Sequence, residues 1–443
     1  MVELVAWKNS ENRKPLLLRG ARQVGKTTAV NEFAPVYKQY ISLNLERKED
    51  AGLFLNYKNF KSLVEGIFFL KDKSILEKDT LIFIDEIQEI PEVINLLRYF
   101  YEDYPHLHVI GAGSLLETIL NEQVTVPVGR VEYKVMRPVA FNEFLDALGQ
   151  QHVLVQLNQL PVNDFAHDKL LELFNTYVLI GGMPEVVNHY AKNHDLTALL
   201  PIYNALLESY INDVEKYARN STMTQVIRHV IKSMSNEAGS RSKFQHFGQS
   251  NYRSREVAEA LRVLEKAFLL HLVYPTLTTN LPVFSDLKKS PRLQLLDTGI
   301  LNYAAGIQKE LFLSTDLSTV FKGKVIEHIV GQELLATKFS VLTELNFWTR
   351  ENKDAVAEID FIRVFDGKIF PIEVKSGATG TLRSLHSFMD ACSHHWAIRI
   401  YGGRFSVDTI NIPNQSPFYL LNLPYYLTGQ IDAYLQWFMD QYP

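Results

Sequence analysis

Between residues 16 and 33 the chain reads "LLLRGARQVGKTTAVNEF". An apolar run stops at Arg19-Gly20, and an apolar-periodic segment resumes only after Thr27. A strand broken by a loop that has nothing to bury restricts the fold more than any other feature of this chain. Gly20 to Thr27 fits G-x-x-x-x-G-K-[ST] at every required position, with a strand expected before it and a helix after it. Gly20 and Gly25 let the backbone curl so that successive N–H groups face phosphate oxygens, and the helix starting at Lys26 offers its positive end. Lys26 is expected to bridge β- and γ-phosphates, and Thr27 to put its hydroxyl on Mg²⁺. The nucleotide-binding set is then Gly20, Ala21, Gln23, Val24, Gly25, Lys26, Thr27 and Thr28. Arg22 and Gln23 carry no side-chain requirement and serve as loop residues.

The surroundings support a phosphate site. The runs "PLLLRG", "YKQYISLNLE", "TLIFIDEI", "LHVIGAGS" and "RVEYKVMRP" alternate with helical segments over residues 15–140. Three of these runs are continuously apolar, as strands of a parallel sheet covered on both faces tend to be, so a doubly wound α/β domain is expected. The run "TLIFIDEIQEIP" ends in Asp85-Glu86. Asp85 is assigned to the metal and Glu86 to the attacking water. Ser114, at the end of "HVIGAGS", has two readings: a sensor between the acids and the γ-phosphate, or a helix N-cap. Arg130 in "PVGRVEYK" is a candidate cation for transition-state charge, in cis or across a subunit interface, and also an ordinary residue at a strand start.

A chain of 443 residues exceeds one core, and roughly two to four domains are expected. A net charge of −5 gives no global polyanion-binding signature, so any nucleic-acid surface must be local. No run approaches the ~18 apolar residues of a membrane span. The start "MVELVAWKNSENRKP" lacks a leader layout, and the single cysteine, Cys392, excludes an internal disulfide. A cytoplasmic location without membrane contact is the expectation. Pattern shifts divide the chain into an ATPase core (1–140), a helical lid or connector (141–215), a winged-helix-like region (216–280) and a C-terminal α/β domain (281–443). The stretch "SNYRSREVAEALRVLEKAFLLHLVYP" places Arg253, Arg255, Arg262 and Lys266 where DNA phosphates could be met. Glu256, Glu259 and Glu265 interleave with them as on a solvated helix face.

Near the far end, "AEIDFIRV" and "KIFPIEVKSG" read as adjacent strands joined through "FDGK". Period-two alternation puts Glu373 and Lys375 on one face, with Asp360 beside them in the neighbouring strand and Glu327 available from the preceding helix. Two or three carboxylates and a lysine converging there would form a second Mg²⁺ or Mn²⁺ site. Helix (323–337), strands (345–350, 356–364, 368–375), helix (381–392) and strand (395–401), with D…ExK, resemble the PD-(D/E)xK nuclease superfamily. Degenerate members of that superfamily keep the fold and use it for binding.

Over nearly its whole length the chain resembles one prokaryotic family of AAA-type ATPases, whose members join an ATP-binding module to a C-terminal domain of unknown function. The residues carrying the resemblance are "GARQVGKT", "FIDEIQ", "RPVAFNEFL", "GGMPEVV", "LLDTGIL" and "EIDFI…PIEVKSG". It implies an AAA-type P-loop NTPase sheet, a helical and winged-helix middle, and a restriction-endonuclease-like α/β tail. About fifteen residues precede the first strand, so the family's N-terminal helix is expected to be shortened. Three functions follow: an ATP-driven DNA-processing or defence enzyme, a switch ATPase whose tail binds a partner protein or DNA, and a non-hydrolysing scaffold. The pair Asp85-Glu86 disfavours the last. Homo-oligomerisation would let a neighbour supply an arginine.

Overall fold

The computed structural model describes all residues except 115–128, 216–217, 309–319, 341, 353–354, 377–381 and 412–416. The chain divides into two compact units. The first comprises Met1–Arg137 with Lys266–Leu269 and Phe339–Leu342, and the second the remainder.

The first unit is built on five short strands: β1 (Leu16–Arg19), β2 (Gln39–Asn44), β3 (Thr80–Asp85), β4 (His108–Ala112) and β5 (Glu132–Val135). They hydrogen-bond in the order β2-β3-β4-β1-β5, all parallel. A parallel sheet needs cover on both faces, which explains why β1, β3 and β4 are buried at every position. On one face Leu16, Leu18, Leu81 and Phe83 pack with Val30 and Phe33 of helix α2 (Lys26–Phe33) and with Leu4 and Trp7 of α1 (Val2–Lys8). On the other, Leu17, Ile82 and Ile84 pack against α4 (Phe60–Leu70) and α5 (Val93–Asp103), which follow α3 (Lys48–Leu55). Asn59 and Ser62 cap α4 reciprocally, satisfying two of the N–H groups that a helix start leaves open. The short helix α1 occupies the place of the expected shortened N-terminal helix.

The second unit begins with the helices α6 (Phe141–Ala147), α7 (Gln151–Leu157), α8 (His167–Ile180), α9 (Pro184–Asn193), α10 (Leu200–Glu215), α11 (Ser221–Glu237) and α12 (Ser254–Lys266). Strands β6 (Leu270–Thr276) and β7 (Arg292–Leu295) pair antiparallel, then come helices α13 (Thr298–Ala304) and α14 (Val320–Ala336). Two motifs with no evident chemistry in the sequence meet here. Asp297 of "LLDTGIL" caps α13 through Ile300 N–H at 3.0 Å and accepts from Gly182 N–H of "GGMPEVV" at 2.5 Å. A Cβ on Gly181 would collide with that carboxylate, which is why a glycine with φ +73° stands there.

Six further strands follow: β8 (Asn346–Asn352), β9 (Ala355–Ile359), β10 (Phe361–Phe365), β11 (Lys368–Lys375), β12 (Trp396–Tyr401) and β13 (Ser406–Ile410). The last strand, β14 (Phe418–Pro424), leads to α16 (Ile431–Gln441), and α15 (Arg383–Met389) lies between β11 and β12. They form sheets in the orders β7-β6-β8-β9 and β10-β11-β12-β14-β13. The hairpin through Asp366-Gly367 forms as expected, both turn residues having positive φ. The single strand expected over 356–364 does not form. It breaks at Asp360, its first half pairing with β8 and its second with β11, so this carboxylate sits where two sheets part. Residue 381, where the next helix was expected to start, lies outside the described residues.

Candidate functional site

The loop from Gly20 to Gly25 joins the carboxyl end of β1 to the first turn of α2. Its backbone takes left-handed φ at Gln23 (63°) and Gly25 (90°), turning the chain so that Gly25 caps the helix. Gly20 is required for a second reason. A Cβ there would strike the carbonyl oxygen of Met136, just past the end of β5. Lys26 is buried and folds back over its own loop, donating to the carbonyls of Gly20 at 3.0 Å and Ala21 at 2.8 Å. Thr27 Oγ1 donates to Asp85 Oδ2 at 2.7 Å. The two hard oxygens assigned to a metal therefore converge, and this donor set fits Mg²⁺.

Asp85 is almost fully buried at the end of β3. Burial raises its pKa, and the Thr27 hydrogen bond opposes that rise. Its other oxygen accepts from the N–H of Glu86 at 3.1 Å. Glu86 itself adopts φ 52° and ψ 44°, a left-handed conformation that is costly for a side chain of this type and that clusters at functional sites. Gln88 Nε2 donates to Glu86 Oε2 and fixes the carboxylate's orientation. This positioning residue was missed in the sequence, although it stands in plain view in "DEIQ". Only the pairing of side chains two apart, set by the bend at Glu86, gives it meaning.

Ser114 is buried two residues beyond β4. Because β4 lies between β1 and β3, its end falls between the phosphate loop and the acidic pair. The residues that follow Ser114, where the N-cap reading expects a helix, lie outside the described residues. Arg130 is not brought to the loop. It precedes β5, at the amino edge of the sheet, and pairs with Glu102 at 2.9 Å. The phosphate loop leaves the opposite, carboxyl edge, so within one chain Arg130 is on the wrong side. Arg137, also missed, follows directly on Met136 at the carboxyl edge. Burial pushes its pKa down to about 10, and its Nε has no hydrogen-bond partner among the described residues.

Residues 12–145 match the family model of an AAA domain. This stretch is an AAA-type P-loop ATPase domain. Residues 171–311 and 322–421 match two models of domains of unknown function, DUF8612 and DUF4143. No curated protein matches the chain. Among solved structures, Drosophila ORC bound to DNA is 14% identical over 80% of this chain and 87% of that one, with a TM-score of 0.25. Cdc6p from Pyrobaculum aerophilum is 10% identical over 70% and 92%, with a TM-score of 0.24. At such low scores neither likeness carries weight for function. The AAA domain has no helix among its described residues long and apolar enough to cross a membrane, and neither has the second unit.

The second cluster is in the DUF4143 stretch and its approach. Asp360 Oδ2 accepts from the N–H of Val374 at 2.8 Å, which brings it beside Glu373, and Lys375 pairs with Glu373 at 2.5 Å. Asp360, Glu373 and Lys375 thus come together as the alternation suggests. Glu327 joins them, with three residues not singled out in the sequence, Arg292, Glu358 and Arg241. Arg292 of β7 pairs with Glu327 and Glu358 and approaches Asp360 at 3.5 Å. Arg241 holds the other oxygen of Glu358 at 2.8 Å. Burial raises the pKa values of Glu327, Asp360 and Glu373, and the pull of Arg292 opposes this in all three. Among the described residues no group of three His, Cys, Asp or Glu is placed to hold a metal ion. The tail as it stands does not fit Mg²⁺ or Mn²⁺.

Proposed function

We propose that the AAA domain binds and hydrolyses ATP, and that the tail serves this ATPase as a regulated binding domain rather than a standing nuclease. The convergence of Thr27 on Asp85, with Glu86 directly behind, carries the first half of the proposal. When ATP enters, Lys26 exchanges its two neutral carbonyl acceptors for anionic phosphate oxygens, so that both partners of the bond are charged. Thr27 and Asp85 would hold Mg²⁺, which supplies charge to neutralise the β- and γ-phosphates. Glu86, oriented by Gln88, accepts a proton from the water that attacks the γ-phosphorus, and Ser114 senses whether the γ-phosphate is present. Arg137 is the arginine placed to balance charge within the chain. Arg130 could do so only for a neighbouring copy.

The experiment is ATP binding and turnover with two variants. Lys26→Ala is expected to weaken ATP affinity roughly 10- to 100-fold, the value of a lost charged hydrogen bond. Glu86→Gln should keep affinity and lose turnover by roughly 10²–10⁴, as for a removed general base. Wild-type affinity in Lys26→Ala would overturn the assignment.

For the tail, two readings were open. Cleavage of DNA is supported by Asp360, Glu373 and Lys375 lying side by side. A binding role is supported by Arg292, whose guanidinium ties down the carboxylates that cleavage would need. The second is preferred here. The helix α12, followed by the antiparallel pair β6/β7, supports a winged-helix-like reading of the middle, with Arg253, Arg255 and Arg262 exposed for phosphate contact. A nucleotide-dependent, salt-sensitive change in DNA affinity would distinguish DNA from a protein partner. No affinity in either nucleotide state would leave the protein partner.

A further inference from the structure

We propose that Arg292 is the resident cation of the tail's carboxylate cluster and that its guanidinium is what keeps these carboxylates from taking a hard divalent metal. The inference rests on the reading of the tail as a binding domain rather than a standing nuclease and gives a physical reason why its carboxylates do not fit a metal.

Four elements contribute to the cluster: Arg292 from β7, Glu327 from α14, Glu358 from the end of β9, and Glu373 with Lys375 from β11, with Asp360 at the sheet break. The Arg292 side chain is 11% exposed, and its guanidinium lies 4.7 Å from the centre of the Phe347 ring. Held there, the two Nη atoms reach three different carboxylates. A guanidinium is a planar fork that keeps its acceptors apart, whereas Mg²⁺ or Mn²⁺ draws its oxygens to about 2.0–2.2 Å from one point. The same carboxylates therefore cannot satisfy both at once.

Charge and an orphaned oxygen point the same way. Glu327, Glu358, Asp360 and Glu373 face three cations, namely Arg241, Arg292 and Lys375. With Arg292 withdrawn they would face two, and the formal excess of negative charge would grow from one to two, which is what one divalent ion carries. Glu373 is only 6% exposed, yet its Oε2 has no hydrogen-bond partner among the described residues. An unpaired buried acceptor of this kind is unfavourable unless something positive comes to it. Beside the guanidinium, a cavity of about 10 Å³ lined by Arg292, Glu327, Gln294 and Phe361 leaves room for about one water. Displacing the guanidinium would open that space further.

The test uses the full chain without nucleotide and follows Mn²⁺ binding by calorimetry and by the electron paramagnetic resonance of free Mn²⁺. Arg292→Met is expected to bind one more Mn²⁺ per chain than wild type, and Arg292→Met/Asp360→Asn to lose it. Arg292→Lys should remain like wild type. Glu358→Gln, which keeps shape and removes one anchor of the guanidinium, should bind Mn²⁺ at least tenfold more tightly than wild type even if Arg292→Met does not fold. The proposal is overturned if wild type itself binds Mn²⁺ in a manner lost in Asp360→Asn. It is equally overturned if folded Arg292→Met and Glu358→Gln bind no more than wild type. DNA cleavage with Mn²⁺ is scored separately. Metal binding without cleavage by Arg292→Met keeps the arginine as resident cation and ends the nuclease reading. ATP turnover tests the AAA domain alone.

Discussion

The chain holds two acidic clusters, and they are finished differently. In the AAA domain, Asp85 is met by a neutral hydroxyl, and the nearby lysine rests on carbonyls of its own loop. Nothing there needs a permanent countercharge, so an incoming polyphosphate finds donors that can be exchanged. In the tail, every carboxylate of the cluster is engaged by a cation or a backbone N–H. The first arrangement is poised and the second is tied down, save for the Oε2 of Glu373. Resemblance of motif alone, D-E in one case and D…ExK in the other, does not separate them.

Stability should expose the contrast most strongly. Arg292→Ala leaves three partly buried carboxylates facing one another, and breaking such pairs costs up to roughly 3–5 kcal/mol. Asp85→Asn keeps shape and removes a desolvated charge, so it should change stability by less than about 0.5 kcal/mol. Calorimetric melting of both variants checks this, and equal losses would break the comparison. Within the AAA domain, Gln88→Ala should lower kcat roughly tenfold with KM for ATP unchanged, since it releases the orientation of Glu86 and nothing that holds nucleotide. A rise in KM instead would move Gln88 to binding.

Proton linkage gives a smaller, slower signature in the second unit. Glu333 of α14 is fully buried, accepting from Tyr177 Oη at 2.8 Å and from the Phe141 N–H at 3.1 Å, and burial pushes its pKa up to about 7. A folded-state pKa above the unfolded value means that the stabilising proton is fully present below about 4.5 and lost as pH rises through about 7. Melting temperature should therefore fall between about pH 5 and pH 8. Glu333→Gln should flatten that slope, because an amide cannot titrate. An unchanged slope would move the effect to the other carboxylates that burial raises, Asp297 at about 6, Glu373 at about 7 and Glu327 at about 8.

Legibility followed distance along the chain. The phosphate loop was readable because all its parts are contiguous, and the five apolar runs appear as the five strands of a parallel sheet. Asp85-Glu86 was readable because strand and acids are adjacent. Arg292 was passed over inside "KKSPRLQLL", since its meaning comes from Glu327, Glu358 and Asp360 arriving from three other elements. The break at Asp360 was invisible for a related reason: "AEIDFIRV" has unbroken strand character, and only competition between two sheets divides it. Gly181 and Gly182 read as a flexible joint but are held by Asp297, more than a hundred residues away. Arg130 drew attention as a charge-balancing cation and Arg137 did not, because only the sheet assigns the two to opposite edges.

The position of β4 between β1 and β3 has a mechanical corollary. A strand bonded on both sides cannot slide without breaking two ladders, so the tip leading to Ser114 acts as a fixed stop between two adjustable parts. One is the glycine loop that closes on phosphate. The other is the bend at Glu86. With ATP bound as proposed, losing the γ-phosphate would change the spacing of those parts against a strand held on both sides.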